Sequence, residues 1–450
     1  MVGRSGLVED YRSIADQLAA DIAAGRLRPG ERLPPQRRFA RQRGIAGSTA
    51  ARVYGELVRR GLAVGEVGRG TFVRAAAAGP EPALVEPAEA RVDLELNFPV
   101  LPQQSELLAA GLARMSRPDV FAASMAALGP AGTPAAQQAT AAILARAGWS
   151  PDPRRILFAG NGRQAIAAVL SALVPAGERL GVERLTYPVV KGIAARLGIT
   201  LVPLAMDEHG LVPEAVTAAL PLRAVYLQPA VHNPLGVTMP EDRRVRLVEA
   251  LRGADLYAIE DGIYGFLRDD LPPLAVLAPE RTILLDSLSK RLAPGLTLGF
   301  AVPPSGDVEQ RVMSALRSGA WTASRFALDV ATQWLADGTV AAISRAKHLD
   351  AQQRQRIRAE RLAGFTVHAD PHGYHCWWEL PDRWRAETFV AAAARQGIAV
   401  APGAAFAVGA GHAPNAVRLA LGAPTHDVLA DALDVLAGLA RGTPEDAVPE

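Results

Sequence analysis

The chain is short of cysteine and of lysine, and it lacks long apolar runs. Each shortage narrows what it can be. A single cysteine, Cys376, in 450 residues excludes an intramolecular disulfide framework and a cysteine-rich zinc site, and no metal centre is expected. No apolar run reaches the roughly 18–20 residues of a membrane span without a charge or a proline. Met1 to Asp10 lack the apolar core of a secretory signal. A soluble, cytoplasmic chain without membrane contact is therefore expected. Only three of the 48 basic residues are lysines: Lys191, Lys290 and Lys347. Arginine carries the rest. What remains is ordinary globular composition, with 49% hydrophobic and 21% charged residues. The length suits two or three domains.

Charge is unevenly spread. Residues 1–74 hold 14 arginines against 7 acidic residues, so this stretch carries +7 while the whole chain is +2. A basic N-terminal module on an acidic body suits a polyanion partner, although a solvated basic face fits the charge alone equally well. Tyr11, Ile14, Ala15, Leu18 and Ile22 recur at helical spacing over 11–24. A second helix is expected over about 35–43, closed by Gly44, and a third over about 48–60, capped by Ser48 or Gly47. Gly65 to Val73 reads as a hairpin with Arg69 at its tip. Three helices and a hairpin make a winged helix-turn-helix, whose third helix would enter the major groove.

The literal sequence goes further. Tyr11, Ile14-Ala15, Leu18, Ile22, Gly25-Arg26-Leu27, Pro29-Gly30, Arg32-Leu33-Pro34 and Arg37, then Gly44-Ile45, Ser48-Thr49 and Gly70-Thr71-Phe72-Val73, resemble the GntR family of DNA-binding domains. The resemblance implies DNA contacts from Arg37, Arg43, Ser48, Thr49, Arg52 and Arg69. Their chemistry agrees: arginine grips guanine or phosphate, and a helix start attracts phosphate. Pro35 and Gly47 depart from the family pattern.

Residues 75–92 are rich in Ala, Pro and Glu and read as a linker. From about 93 onward, strand-like runs alternate with Ala-rich helical stretches. The runs are Arg155–Ala159, Arg179–Val182, Thr200–Pro203, Ala224–Gln228, Leu256–Glu260, Thr282–Asp286 and Thr297–Val302. This alternation predicts an α/β domain with a large, mostly parallel sheet, followed by a smaller α+β part over roughly 340–440.

Lys290 sits in Ser287-Leu288-Ser289-Lys290, just after one of these strands. A lysine amine condenses with an aldehyde to a Schiff base, which a guanidinium cannot do. Upstream lie Asp261, Tyr264 and Asn233-Pro234, and downstream Arg418. Gly160-Asn161-Gly162-Arg163-Gln164 links a strand to a helix and would offer backbone donors to phosphate. Singly, each has a plain structural reading: Asp-Gly is a turn, Asn-Pro a loop, and Arg418 a surface charge. Together and in this order they point to pyridoxal phosphate (PLP), whose pyridine nitrogen needs a carboxylate partner.

That ensemble resembles the fold-type I PLP enzymes of the aspartate aminotransferase family across about 95–440. Tyr187-Pro188, Gln228-Pro229, Asn233-Pro234-Leu235-Gly236, Gly373-Tyr374-His375 and Pro402-Gly403 carry the likeness alongside the residues above. By resemblance, Lys290 holds the cofactor as a Schiff base and Asp261 pairs with the pyridine nitrogen. Asn233 and Tyr264 contact the ring hydroxyl, and Tyr187 stacks on the ring. Gly162, Arg163, Gln164, Ser287 and Ser289 cup the phosphate, and Arg418 grips a substrate or effector carboxylate. His375, His232 and Tyr374 are further candidates for lining the site. Three positions depart: Thr297 replaces a phosphate-holding arginine, Leu235 replaces a threonine, and Leu128-Gly129 lacks a tyrosine. Arg163 and Arg291 are the available substitutes.

The two resemblances in this order are similar to the MocR subfamily of bacterial regulators, with domains at 1–74 and 93–450. That implies a homodimeric transcriptional regulator whose binding to operator DNA responds to PLP, alone or with an amine or amino-acid effector. The aminotransferase-like domain would serve as a sensor rather than for turnover. The alternatives are a catalytically active aminotransferase with a DNA-binding appendage, and a DNA-binding dimer with a vestigial cofactor site.

Overall fold

Apolar spacing decides how the N-terminal residues fold. In α1 (Tyr11–Ala23), Ile14, Ala15 and Leu18 share one face and are buried. They pack with Phe39 and Ala40 of α2 (Gln36–Arg43) and with Ala50, Val53, Tyr54 and Leu57 of α3 (Gly47–Arg59). Gly44 ends α2 at φ 65°, a left-handed conformation that glycine adopts without a Cβ penalty. The Tyr54 hydroxyl donates to the Pro34 carbonyl at 2.5 Å, tying α3 to the turn before α2. An antiparallel hairpin follows, β1 (Ala63–Glu66) and β2 (Gly70–Val73), pairing Ala63 with Val73. The expected three helices and hairpin are present; Pro35 precedes α2 as its N-cap, and Gly47 and Ser48, expected as caps of the third helix, are its first two helical residues.

The computed structural model describes residues 11–23, 26–27, 32–59, 62–66, 70–73, 90–115, 117–409 and 413–443. The hairpin tip with Arg69 and most of the expected linker lie outside these residues. The described residues fall into two units, the one above and a larger one from residue 90 onward.

The larger unit begins with β3 (Val92–Leu94) and α4 (Gln104–Met115). The strands β4 (Leu157–Ala159), β5 (Arg179–Glu183), β6 (Thr200–Leu204), β7 (Ala224–Leu227), β8 (Tyr257–Asp261), β9 (Thr282–Ser287) and β10 (Gly299–Val302) then form one sheet. Its order is β4-β10-β9-β8-β7-β5-β6, and every pairing is parallel except those of β10. These are the seven runs expected from sequence with shifted ends: Arg155 falls in one 3-10 turn and Thr297 follows another, while β5, β6, β8 and β9 run one residue further, to Glu183, Leu204, Asp261 and Ser287.

A parallel sheet needs both faces covered, which is why its strands read as continuous apolar runs. Ile283 and Leu285 pack against Val169 and Leu170 of helix α5 (Gly162–Leu173). Leu284, pointing the other way, packs with Phe158, Phe300 and Trp334.

A second sheet gathers β11 (Val367–His368), β12 (His375–Glu379), β13 (Ile398–Pro402) and β14 (Ala416–Ala420), with β3 at its edge. β3 runs parallel to β13, Val92 opposite Ile398. The sequence reading confined this smaller part to about 340–440, and the structure adds residues 92–94 to it. Three residues give no usable periodicity, so only the pairing partner reveals this strand. A 23-residue helix spans the two layers (Thr339–Arg361). Its Val340 and Ile343 enter the core beside Trp334, and Ile357 packs on the second sheet's core.

Candidate functional site

Several parallel strands end along one edge of the large sheet, the usual ligand edge of such folds. β8 ends in Asp261 and β9 in Ser287, which caps the short helix α6 (Leu288–Arg291) carrying Lys290. β7 leads to Gln228 and Asn233, and β5 ends in Glu183 ahead of Tyr187. Asp261, Ser287, Lys290, Asn233 and Tyr187 thus end or follow strands that finish at this edge, while Arg418 lies on β14 of the second sheet.

Asp261 is buried and accepts three hydrogen bonds. Tyr226 Oη and Gln228 Nε2 (2.9 Å) donate to Oδ2, and the Ile263 N–H donates to Oδ1 (3.1 Å). Burial raises its pKa, and these donors oppose the rise. Gln228 extends the network: Oε1 accepts from the Asn233 N–H at 3.2 Å, and its own N–H donates to Glu183 at 3.0 Å. Glu183 also faces His232 at 3.1 Å, both side chains being buried. The Tyr264 hydroxyl accepts from Asn97 Nδ2 at 2.9 Å, and its ring lies 5.3 Å from that of His375.

The Lys290 amine donates to the Asn97 carbonyl and stands 3.7 Å from the centre of the Phe98 ring. Burial pushes its pKa well below the usual lysine value; Arg418, Arg163 and Lys347 add to the shift, and Asp261 opposes it. A depressed pKa favours the neutral, nucleophilic amine. Arg418 lies in β14 opposite Trp377 and Ala401. It is buried, donates to the Glu95 carbonyl and lies over Phe406 at 5.3 Å, so its default reading as a surface charge does not hold.

The glycines of the β4–α5 turn permit a close approach of backbones. A Cβ on Gly162 would meet Ser287 Oγ at 3.1 Å, and one on Gly299 would meet the Asn161 carbonyl at 2.3 Å. Ser287 and Ser289 hydroxyls lie 2.8 Å apart beside this helix start. The Gln164 N–H is already engaged by the Asn161 side chain at 2.9 Å. Arg163 is exposed, and its charge beside Tyr187 opposes the rise that burial gives that phenol's pKa. Of the two substitutes for the missing arginine, Arg291 is committed elsewhere: it is buried, 2.9 Å from Asp286 and stacked over Phe266 at 5.0 Å. Thr297 Oγ1 is buried without a hydrogen-bond partner among the described residues.

Sequence reasoning missed Tyr226, Glu183, Asn97 and Lys347. Tyr226 and Glu183 carried a usable signal, being polar groups at the ends of apolar strands. Asn97 carried none, since it lies 167 residues from the Tyr264 it bonds. Lys347, the third lysine, donates to the carbonyls of Pro99 (2.7 Å), Lys290 (2.9 Å) and Leu292.

His375 gives the site a pH dependence. Its Nε2 donates to the His232 carbonyl at 2.9 Å, and burial takes its pKa down to about 3. The unfolded chain titrates this ring near 6.5, so the folded state favours the neutral form. The resulting stability is present above pH 6.5 and is lost as pH falls toward 3. Between pH 7 and pH 5 the loss from this ring is expected to be about 2 kcal/mol. Urea unfolding of wild type and His375→Gln at both values measures it: the variant should show the smaller pH slope, and equal slopes would contradict the assignment.

In the N-terminal unit, Arg37 on α2 and Ser48 and Arg52 on α3 are exposed, and Thr49 is half-buried. Arg43 is exposed but turned onto its own unit, donating to Gln17 at 2.8 Å and lying over Phe39.

Comparison with known proteins agrees with both parts. The family model for aminotransferase class I and II matches residues 104–436, and that for bacterial regulatory proteins of the gntR family matches residues 10–73. The HTH-type transcriptional regulator YdeF of Bacillus subtilis is 30% identical over 421 residues, covering 92% of this chain and 90% of its own. The HTH-type pyridoxine biosynthesis transcriptional regulator PdxR of Corynebacterium glutamicum is 28% identical over 318 residues, 68% of each chain. An archaeal alanine:glyoxylate aminotransferase superposes with a TM-score of 0.70 at 21% identity, over 79% of this chain and 91% of that one, a likeness of fold. The chain belongs to the aminotransferase class I and II family and, with its gntR-type N-terminal domain, to the MocR-type HTH transcriptional regulators.

Proposed function

We propose that this regulator senses PLP, alone or with an amino compound, at the edge of its large sheet and that occupation of this site alters its grip on operator DNA. One observation carries the reading: a half-buried lysine of depressed pKa, a buried carboxylate that accepts three hydrogen bonds and a glycine-serine cradle at a helix start share one sheet edge. When bound, PLP supplies an aldehyde for an amine and a ring that withdraws electrons. Asp261 would hold a proton at the ring nitrogen. Tyr264 and Asn233 would orient the ring through its hydroxyl, and Tyr187 would cover its face. Gly162, Arg163, Gln164, Ser287 and Ser289 would receive the phosphate, with Arg163 as the remaining cation now that Arg291 is paired. Arg418 would take an effector carboxylate.

DNA contacts are assigned to Arg37, Arg43, Ser48, Thr49, Arg52 and Arg69. A cytoplasmic homodimer would carry two such modules, which suits paired operator half-sites. Arg52→Ala should lower the salt dependence of DNA binding by about one phosphate equivalent, a change of about 0.9 in the slope of log K against log salt. An unchanged slope would remove Arg52 from the interface.

The domain reading is tested by adding PLP to the full chain, desalting, and recording the visible spectrum. A retained band supports the cofactor role, and its absence in folded protein contradicts it. Turnover of an amino acid with a keto acid is the second reading, supported by the presence of Lys290, Asp261, Tyr264 and Arg418 among the residues the resemblance assigns. Thr297 weighs against it.

A further inference from the structure

Residues 95–99 join β3 to the segment leading into α4, and they lie across the groups a ligand would use. The Glu95 carbonyl takes the Arg418 guanidinium, and the Asn97 carbonyl takes the Lys290 amine. Asn97 Nδ2 donates to the Tyr264 hydroxyl at 2.9 Å, and the Phe98 ring covers the Lys290 amine at 3.7 Å. The segment is fixed at both ends. On one side, β3 pairs with β13, and Asp93 Oδ1 accepts the Glu95 and Leu96 N–H groups at 2.7 and 2.9 Å. On the other, Lys347 holds the Pro99 carbonyl at 2.7 Å, and Pro99 packs so near Gly422 that a Cβ there would stand 3.0 Å from it.

We infer that residues 95–99 form a strap that competes with ligand for Lys290 and Arg418, and that an aldehyde ligand such as PLP on Lys290, with a carboxylate at Arg418, releases it. The inference rests on the reading of the site proposed above. The strap holds the Lys290 amine and the Arg418 guanidinium with neutral carbonyl oxygens, which are weaker partners for a guanidinium than a carboxylate is. It also leaves two buried atoms without partners among the described residues: the acceptor Asn97 Oδ1 and the donor Arg418 Nε. An ammonium or amine hydrogen suits the first, and a carboxylate oxygen suits the second. A ligand seated on Lys290 takes that nitrogen away from the Asn97 carbonyl. In sequence the strap continues back through β3 into residues 75–91 and the DNA-binding module, so its release acts at the root of that connection. Ligand occupancy and DNA affinity are then coupled through one element with two states.

Amide hydrogen exchange of the full-length chain tests this, read on the peptide containing Glu95 and Leu96 with β13 as the folding control. Two variants remove the Phe98–Lys290 contact from opposite sides: Lys290→Ala and Phe98→Ala. Without PLP, both should speed exchange in the strap by roughly three- to thirty-fold, the range of one lost hydrogen bond or packed ring contact, and leave β13 unchanged. In wild type, added PLP that leaves a visible band after desalting should speed strap exchange to a similar degree. Unchanged exchange in either variant overturns the strap, whether or not a band is seen. A retained band with unchanged strap exchange overturns it too, while leaving the cofactor reading intact. Faster exchange in both variants with no retained band upholds the strap contacts and overturns the cofactor reading instead.

Discussion

Lys290→Ala is expected to abolish the visible band that PLP leaves on the wild-type protein after desalting, and to weaken PLP binding by at least about a hundredfold. The remaining groups, Asp261, Tyr264 and the glycine-serine cradle, still offer hydrogen bonds. None of them replaces a covalent anchor. The variant should still bind DNA, because α1, α2 and α3 have a core of their own in which Ile14, Val53 and Leu57 are fully buried. What it should lose is any response of DNA binding to PLP. Absorbance and a DNA-binding titration on the same preparation measure both effects. Retained PLP response in the variant would show that the signal does not pass through this lysine.

The second large effect is expected at Lys347, which no expectation from sequence singled out. Its side chain is fully buried and its Nζ serves three carbonyls, of Pro99, Lys290 and Leu292. Burial pushes its pKa down to about 7; the ammonium form donates to all three carbonyls, and the neutral amine, with two N–H bonds, can serve two of them. Lys347→Met keeps the length of the side chain and removes every donor. Each stranded carbonyl costs about 1–3 kcal/mol, and partial relaxation should bring the total to about 3–5 kcal/mol. Urea unfolding measures it, and a loss below about 1 kcal/mol would contradict the assignment. The same variant should loosen the backbone of Lys290 and of Pro99, so PLP affinity should fall as well.

The contrast between these two lysines shows what the sequence made legible. Lys290 follows an apolar run at a predictable sheet edge, and Asp261 and Asn233 follow others, so strand order alone groups them. The winged helix was equally readable, because Gly44 and the spacing of Ile14, Ala15 and Leu18 mark its helices. Lys347 sits on the buried side of a 23-residue helix whose neighbours are mostly polar, and only the fold shows which carbonyls it meets. Asn97 and Glu95 reach Tyr264 and Arg418 across sequence separations of 167 and 323 residues, where no local pattern reports the contact. Arg291, offered by the sequence beside Arg163 as a substitute for the arginine that Thr297 replaces, is adjacent to Lys290. Adjacent helical residues point in different directions, and Arg291 turns inward to Asp286.

The central claim, that the site on the large sheet governs DNA binding, is tested most directly by a binding titration. Duplexes selected by the full-length protein from a random-sequence pool serve as the target, at fixed salt, with and without PLP. The account predicts a change in affinity of about tenfold or more, equivalent to a coupling of about 1.4 kcal/mol or more, in protein whose visible band shows the site to be occupied. An occupied site with the same DNA affinity would contradict it.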